Sequence, residues 1–227
     1  MVRPMDKKIY LSPSSQEDNA YAYGNTTEEV QCRRISAACA VALKRCGFDV
    51  KDGNYGDMYD RVDESDAWGA DLHIPIHTNA FNGKTTGTRI FCFNNYGEGY
   101  KASQAVFNAL APVTPGTSEN VTVNDFYEIV YTNAPCVYIE VDFHDVPNIA
   151  KWIIENVELI GESIAKGVCD YFGVKFVEKP KPVEPEKKDV LYRVQIGAYR
   201  VRENAEKRLA EAKAAGFTDA FIVTVEQ

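Results

Sequence analysis

The chain has 227 residues, 45% of them hydrophobic and 26% charged, enough for one substantial core or for a medium domain plus a small one. A net charge of −8 and a pI near 5.0 exclude nucleic acid as the main partner, because neutralising phosphates needs clustered Lys and Arg. No run of roughly eighteen apolar residues occurs, so no membrane span is expected. The start, Met1 to Lys8 followed by Ile9-Tyr10-Leu11, is too short for the apolar stretch of a signal peptide. Synthesis in the cytoplasm without a visible export signal is therefore expected.

Taken in chain order, Lys8 to Leu11 reads as a short buried strand. Glu28 to Cys46 reads as a helix, with Ile35, Ala38, Cys39, Ala42 and Leu43 at helical spacing; Thr26 or Thr27 caps it and Gly47 ends it. Cys32, Cys39 and Cys46 recur every seventh residue and line one stripe of that helix. With Cys92, Cys136 and Cys169 in other apolar runs and no CxxC pair, buried free thiols are expected rather than disulfides. A second strand begins at Phe48, a helix spans Tyr59 to Trp68, and strands follow at Asp71 to His77 and Thr88 to Phe93. Tyr100 to Leu110 is helical, Cys136 to Val141 is a β-prone run, and Ile149 to Phe172 carries one long amphipathic helix. Strand–helix alternation of this kind predicts an α/β fold, a mostly parallel twisted sheet flanked by helices, over residues 7–176.

Prolines alternating with charges from 177 to 189 favour an extended spacer. Beyond it, residues 190–227 predict a small βαβ module: strand Tyr192 to Ile196, helix Glu203 to Ala215, strand Ala220 to Val225.

Three residues of the first domain stand out chemically. His77 ends an apolar strand and is followed by the polar Thr78-Asn79 turn, at the strand end where open α/β sheets bind ligands. Glu140 sits inside Cys136-Val137-Tyr138-Ile139-Glu140-Val141-Asp142-Phe143; a carboxylate there must be paired, protonated, near a metal, or on the solvent face of an edge strand. Glu28 opens the first helix, where an acidic residue is also favoured by the helix dipole alone.

Together these segments resemble the zinc-dependent N-acetylmuramoyl-L-alanine amidases of the Amidase_3 type. The family's strand ending in Ser-Ile-His-x-Asn is similar to Pro75-Ile76-His77-Thr78-Asn79. Its helix opened by a ligating Glu with an Ile seven residues on matches Glu28 and Ile35. Its Pro-x-x-Leu-x-Glu-x-x-Phe segment matches Pro135 through Glu140 to Phe143. The resemblance implies a phosphorylase/hydrolase-like amidase fold, Zn2+ held by His77 and Glu28, and Glu140 as general base in hydrolysis of the muramic acid–L-alanine amide. Such a metal lowers the pKa of its water to about 7, and a carboxylate nearby moves the proton. Peptidoglycan glycan strands and stem peptides are the implied partners, with Asn79 and His144 as substrate contacts, His144 alternatively as a proton donor. A cell-wall lytic amidase or endolysin acting on the wall after release is the function implied.

One element of the family pattern is missing. The family's first ligand is a His in an Asp-Pro-Gly-His turn after the first strand, whereas the turn here reads Leu11-Ser12-Pro13-Ser14-Ser15-Gln16-Glu17-Asp18-Asn19, with no histidine before His73. His73 is no substitute: four residues before His77 on one strand puts the two Cα atoms roughly 13 Å apart, too far to share one ion. Asp18 is the expected third ligand, with Gln16 or Ser15 as neutral alternatives. An Asp-Glu-His set would carry more negative charge, make the bound water less acidic and suit a harder divalent ion such as manganese. A wall-binding protein that keeps the amidase fold without activity is the competing reading, and an unrelated metal-dependent hydrolase a third.

In the C-terminal segment, Val194-Gln195-Ile196-Gly197-Ala198-Tyr199, then Asn204-Ala205, then Gly216-Phe217, resembles the first half of a SPOR domain. That resemblance implies binding to glycan strands stripped of peptide, the product an amidase makes. A half sheet leaves an apolar face and a strand edge open, so pairing of two chains into a homodimer through this module is expected.

Overall fold

The computed structural model describes residues 7–53, 55–179 and 192–225. The chain divides between Lys179 and Pro180 into two units; positions 180–189 of the expected spacer lie outside the described residues.

The first unit is built in the order β1 (Lys8–Pro13), α1 (Glu28–Arg45), β2 (Asp49–Asp52), α2 (Met58–Trp68), β3 (Leu72–Asn79), β4 (Arg89–Cys92), α3 (Gly97–Leu110), β5 (Thr122–Val123), α4 (Tyr127–Tyr131), β6 (Tyr138–Phe143), α5 (Pro147–Glu155) and α6 (Val157–Phe172). The sheet runs β2-β1-β3-β6-β4-β5, with β6 and β4 its one antiparallel pair. The chain leaves β1 toward β2 on one side and returns to β3 on the other. The order therefore reverses at β1, and a crevice opens beyond the carboxyl ends of β1 and β3.

Side-chain alternation gives the sheet two different faces. On one, Leu72, Ile74 and Ile76 of β3 join Ile139 and Val141 of β6 in an apolar core with Ile35 and Leu43 of α1, Val106 of α3 and Ile164 of α6. The other face carries Tyr10, Ser12, His73, His77, Tyr138 and Glu140, and α2 and α4 supply its polar partners. All six cysteines are buried and unbridged, with Cys32, Cys39 and Cys46 along α1 as their spacing predicts. Among the described residues, no helix is long and apolar enough to cross a membrane.

Three features depart from the sequence expectation. The helix expected over Ile149 to Phe172 is two helices. Asn156 turns its side-chain amide back onto the Trp152 carbonyl at 2.8 Å, which ends α5 before α6 begins. The short β5 and α4 lie in a stretch without helical or alternating periodicity and were not expected. In the second unit α7 (Arg202–Ala214) forms, but Tyr192 to Ile196 and Ala220 to Val225 carry no strand pairing, so the βαβ expectation is corrected to a helix between two unpaired segments. A strand exists only through its neighbours' hydrogen bonds, and α7 buries a single residue, Ala212, so little in this unit holds the flanking segments in a ladder.

Candidate active site

At the carboxyl ends of β1 and β3, the fold brings together residues far apart in sequence. Glu28 is the first residue of α1, whose N-terminus is capped by the Thr27 side chain. The loop from Ser14 to Asn19 folds over this helix start: the Glu28 N–H donates to the Asn19 carbonyl at 2.9 Å. Glu28 is 1% exposed, and its Oε1 lies 2.9 Å from Nδ1 of His77. The other oxygen accepts from Asn19 Nδ2 at 2.8 Å. Burial works to raise the Glu28 carboxyl, but hydrogen bonds from His77, Asn19 and Ser14 outweigh it and hold the group below the usual carboxylate range.

His77 stands directly opposite Glu140 in the β3–β6 register, so the two side chains share a face. Its ring stacks on Tyr138, with centroids 4.8 Å apart and planes 15° from parallel, and this fixes the imidazole's plane. Burial works to lower the imidazole's pKa, yet the bond to Glu28 and the charges of Glu140, Glu28 and Glu128 hold it above the ordinary value.

Glu140 is the unusual member. Its Oε2 is buried with no hydrogen-bond partner among the described residues, and burial pushes its carboxyl up to about 8, with His77 opposing and the Glu28 charge adding to the rise. Glu28 bonded to His77 and Glu140 across the strand from it give the site excess negative charge, a balance that favours a bound cation. Behind them, Glu128 Oε1 accepts from Ser12 Oγ at 2.5 Å and lies 3.1 Å from His73 Nε2, while His73 Nδ1 meets Ser65 Oγ at 2.9 Å. Burial works against the Glu128 charge, but these bonds hold its carboxyl below the usual range. His73, fully buried and stacked on Tyr10, is a structural residue that ties β3 to α2 and α4.

The remaining expectations divide. Asn79 is half-buried at the strand end, its Oδ1 accepting from the Ala80 N–H at 2.8 Å. His144 does not line the cleft mouth as expected: it is 3% exposed, stacked on Tyr21, with Nδ1 3.0 Å from Thr78 Oγ1. The reason is the tight connection after β6: the His144 N–H donates to the Asn79 carbonyl, and the ring turns inward with Nδ1 3.0 Å from the Thr78 carbonyl. Asp18 is exposed and bonds neither Glu28 nor His77; Gln16 and Asn19 do. Among the described residues, no three His, Cys, Asp or Glu side chains come together as a metal cluster. Glu128 and Tyr138 were not singled out in the sequence. Tyr138 was within reach, since it lies two residues before Glu140 and so shares its face, whereas nothing local distinguishes Glu128 from a helical surface carboxylate.

Comparison with known proteins accords with this arrangement. The N-acetylmuramoyl-L-alanine amidase family profile (Amidase_3) matches residues 10–170, and the SPOR domain profile matches residues 176–226. A sporulation-specific N-acetylmuramoyl-L-alanine amidase of Bacillus subtilis is 24% identical over 92% of this chain and 82% of its own length. The amidase CwlM of Bacillus licheniformis is 25% identical over 95% of this chain and 84% of its own. Among solved structures, the catalytic domain of the amidase CwlV from Bacillus (Paenibacillus) polymyxa superposes with a TM-score of 0.69 at 17% identity, covering 74% of this chain and 99% of that one. With the family profile spanning the whole sheet and the helices around its crevice, the chain belongs to the N-acetylmuramoyl-L-alanine amidase family.

Proposed function

We propose that this protein hydrolyses the amide joining the lactyl group of N-acetylmuramic acid to L-alanine in peptidoglycan, as a metal-dependent lytic amidase or endolysin acting on the cell wall. The observation that carries this reading is the partnerless, buried Glu140 oxygen beside the Glu28–His77 pair, within the stretch that matches the family. The donor set suits a divalent ion: a carboxylate and an imidazole nitrogen 2.9 Å apart, in a pocket with excess negative charge. Glu28 and His77 would hold it, with a third ligand from the loop of residues 15–18. When bound, Zn2+ or a harder divalent ion supplies Lewis acidity toward the scissile carbonyl and acidifies the attacking water.

The chain's own residues do the rest. Tyr138 keeps the His77 ring in one plane, and Asn19 and Ser14 keep Glu28 ionised and aimed. Glu140 takes the water's proton as the carbonyl is attacked and returns it to the departing alanine nitrogen. Asn79, at the open end of β3, is the substrate contact nearest this point in the chain.

The test is a digest of purified cell walls by the full chain. The expected outcome is release of new L-alanine amino groups without new reducing sugar ends, blocked by a chelator and restored by Zn2+. Release that ignores chelation, or none with any divalent ion, would sink the metal-dependent amidase in favour of a wall-binding protein that keeps only the fold.

For the C-terminal unit we propose binding to peptide-stripped glycan and pairing between two copies of the chain. The support is apolar surface without a partner among the described residues: Val194 is 89% and Phe221 is 73% exposed, on the two segments flanking α7. Light scattering of the full chain at micromolar concentration is expected to give a dimer mass; a monomer ends the pairing proposal.

A further inference from the structure

We propose that Gln16 is the third metal ligand, through its side-chain amide oxygen, completing a Gln16–Glu28–His77 set in a chain that has no histidine in the loop between β1 and α1. This assignment rests on the metal-dependent reading above and deepens it.

The geometry carries the argument. The Gln16 amide reaches both proposed ligands: its Nε2 lies 3.3 Å from His77 Nδ1 and 3.4 Å from Glu28 Oε1. Those two atoms are themselves 2.9 Å apart. The nitrogen and oxygen of one amide exchange places on a half-turn, so the Gln16 oxygen can take up the position that now faces both His77 and Glu28. The backbone fixes this placement. The Gln16 N–H meets Ser14 Oγ at 3.2 Å, and its carbonyl accepts from the Glu29 N–H at 3.4 Å in the first turn of α1. Ser15 and Asp18, from the same loop, bond to neither Glu28 nor His77.

An amide is also the side chain that suits this position both with and without an ion. Facing the Glu28 carboxylate without an ion, it presents its NH2 as donor, as it does here. Facing a cation, a half-turn about the terminal side-chain bond presents the oxygen instead. That turn gives up the 2.7 Å bond from Asn19 Nδ2 to Gln16 Oε1, while Asn19 retains its 2.8 Å bond to Glu28. A neutral third ligand leaves the set with one negative charge, the same as two histidines and a glutamate. It replaces a nitrogen by a weaker oxygen donor, which lowers affinity for zinc and narrows its advantage over manganese.

Equilibrium affinity of the full chain for Zn2+ and Mn2+, measured by competition with a chromophoric chelator, tests the assignment. Gln16→Ala is expected to weaken Zn2+ binding by at least about tenfold, Gln16→His to tighten it, and Asp18→Ala to leave it within about twofold. The absorption spectrum of bound Co2+ is expected to differ between parent and Gln16→His, because an oxygen donor is exchanged for nitrogen. This second readout stands even if Gln16→Ala folds poorly. Binding by Gln16→Ala as tight as the parent's, or a Co2+ spectrum unchanged in Gln16→His, overturns the assignment and leaves the metal-dependent reading intact. A parent chain that binds neither ion overturns both.

Discussion

Replacing Glu140 by Gln is expected to lower amide hydrolysis in cell walls by about 10²–10⁴-fold, the range for loss of a positioned general base, or roughly 3–5 kcal/mol of transition-state stabilisation. The variant keeps the shape of the side chain and removes its ability to accept a proton. Because Glu140 makes no bond through Oε2, no folded-state partner is lost, and the variant is expected to keep wall binding and to retain metal while failing to cut. The sign of the pH dependence follows from the same environment. The base must be ionised, so hydrolysis rises as pH rises through the Glu140 pKa, which burial and the Glu28 charge push up to about 8. A bound cation favours the ionised form and moves that limb to lower pH. Initial rates of amine release across pH 5–9 on parent and Glu140→Gln would decide the matter. A variant retaining a tenth of the parent rate, or a parent whose rate falls as pH climbs from the acid side, removes Glu140 from the role of base.

The largest effect on stability is expected from Ile164→Ala. Ile164 is fully buried on α6, in the core shared with α1, α3 and the apolar face of the sheet. Helix α6 is wedged between its neighbours through two glycines. A Cβ at Gly161 would lie 2.7 Å from the Cys39 nitrogen of α1, and one at Gly167 would lie 2.4 Å from the Val106 Cα of α3. Both obstacles are backbone, so the helix has no freedom to settle into a cavity left by a shortened side chain. The cost is therefore expected within the range for Ile to Ala in a rigid core, about 2–5 kcal/mol, a large part of an ordinary domain's total. Thermal melting is expected to fall by roughly 5–15 °C, and the urea midpoint to drop with little change in slope. A loss under about 1 kcal/mol would mean that α6 does collapse inward and is not held by its glycine contacts.

The two predictions differ in how much of each was visible beforehand. The apolar periodicity of α1 and the alternation in β3 and β6 are local, so the sequence alone yields the parallel α/β architecture and the residues facing its core. Glu28, His77 and Glu140 were legible for another reason: His77 and Glu140 stand at strand positions where their chemistry conflicts with the bland expectation, and Glu28, ordinary at a helix start, joins them through a spacing that resembles one family. What the sequence could not decide is which atom of the β1–α1 loop meets them. Charge alone favoured Asp18, but the loop's hydrogen bonds direct the Gln16 and Asn19 side chains to Glu28 and His77 and leave Asp18 bonded to neither. The inward turn of His144 and the break at Asn156 were hidden in the same way, since each is set by a bond to a backbone carbonyl, that of Thr78 for His144 and that of Trp152 for Asn156. Local pattern and family resemblance thus determined the scaffold and three candidate side chains that the fold brings to one end of the sheet. The tertiary structure decided the rest, because loop side chains take their direction from backbone partners that only the fold brings near.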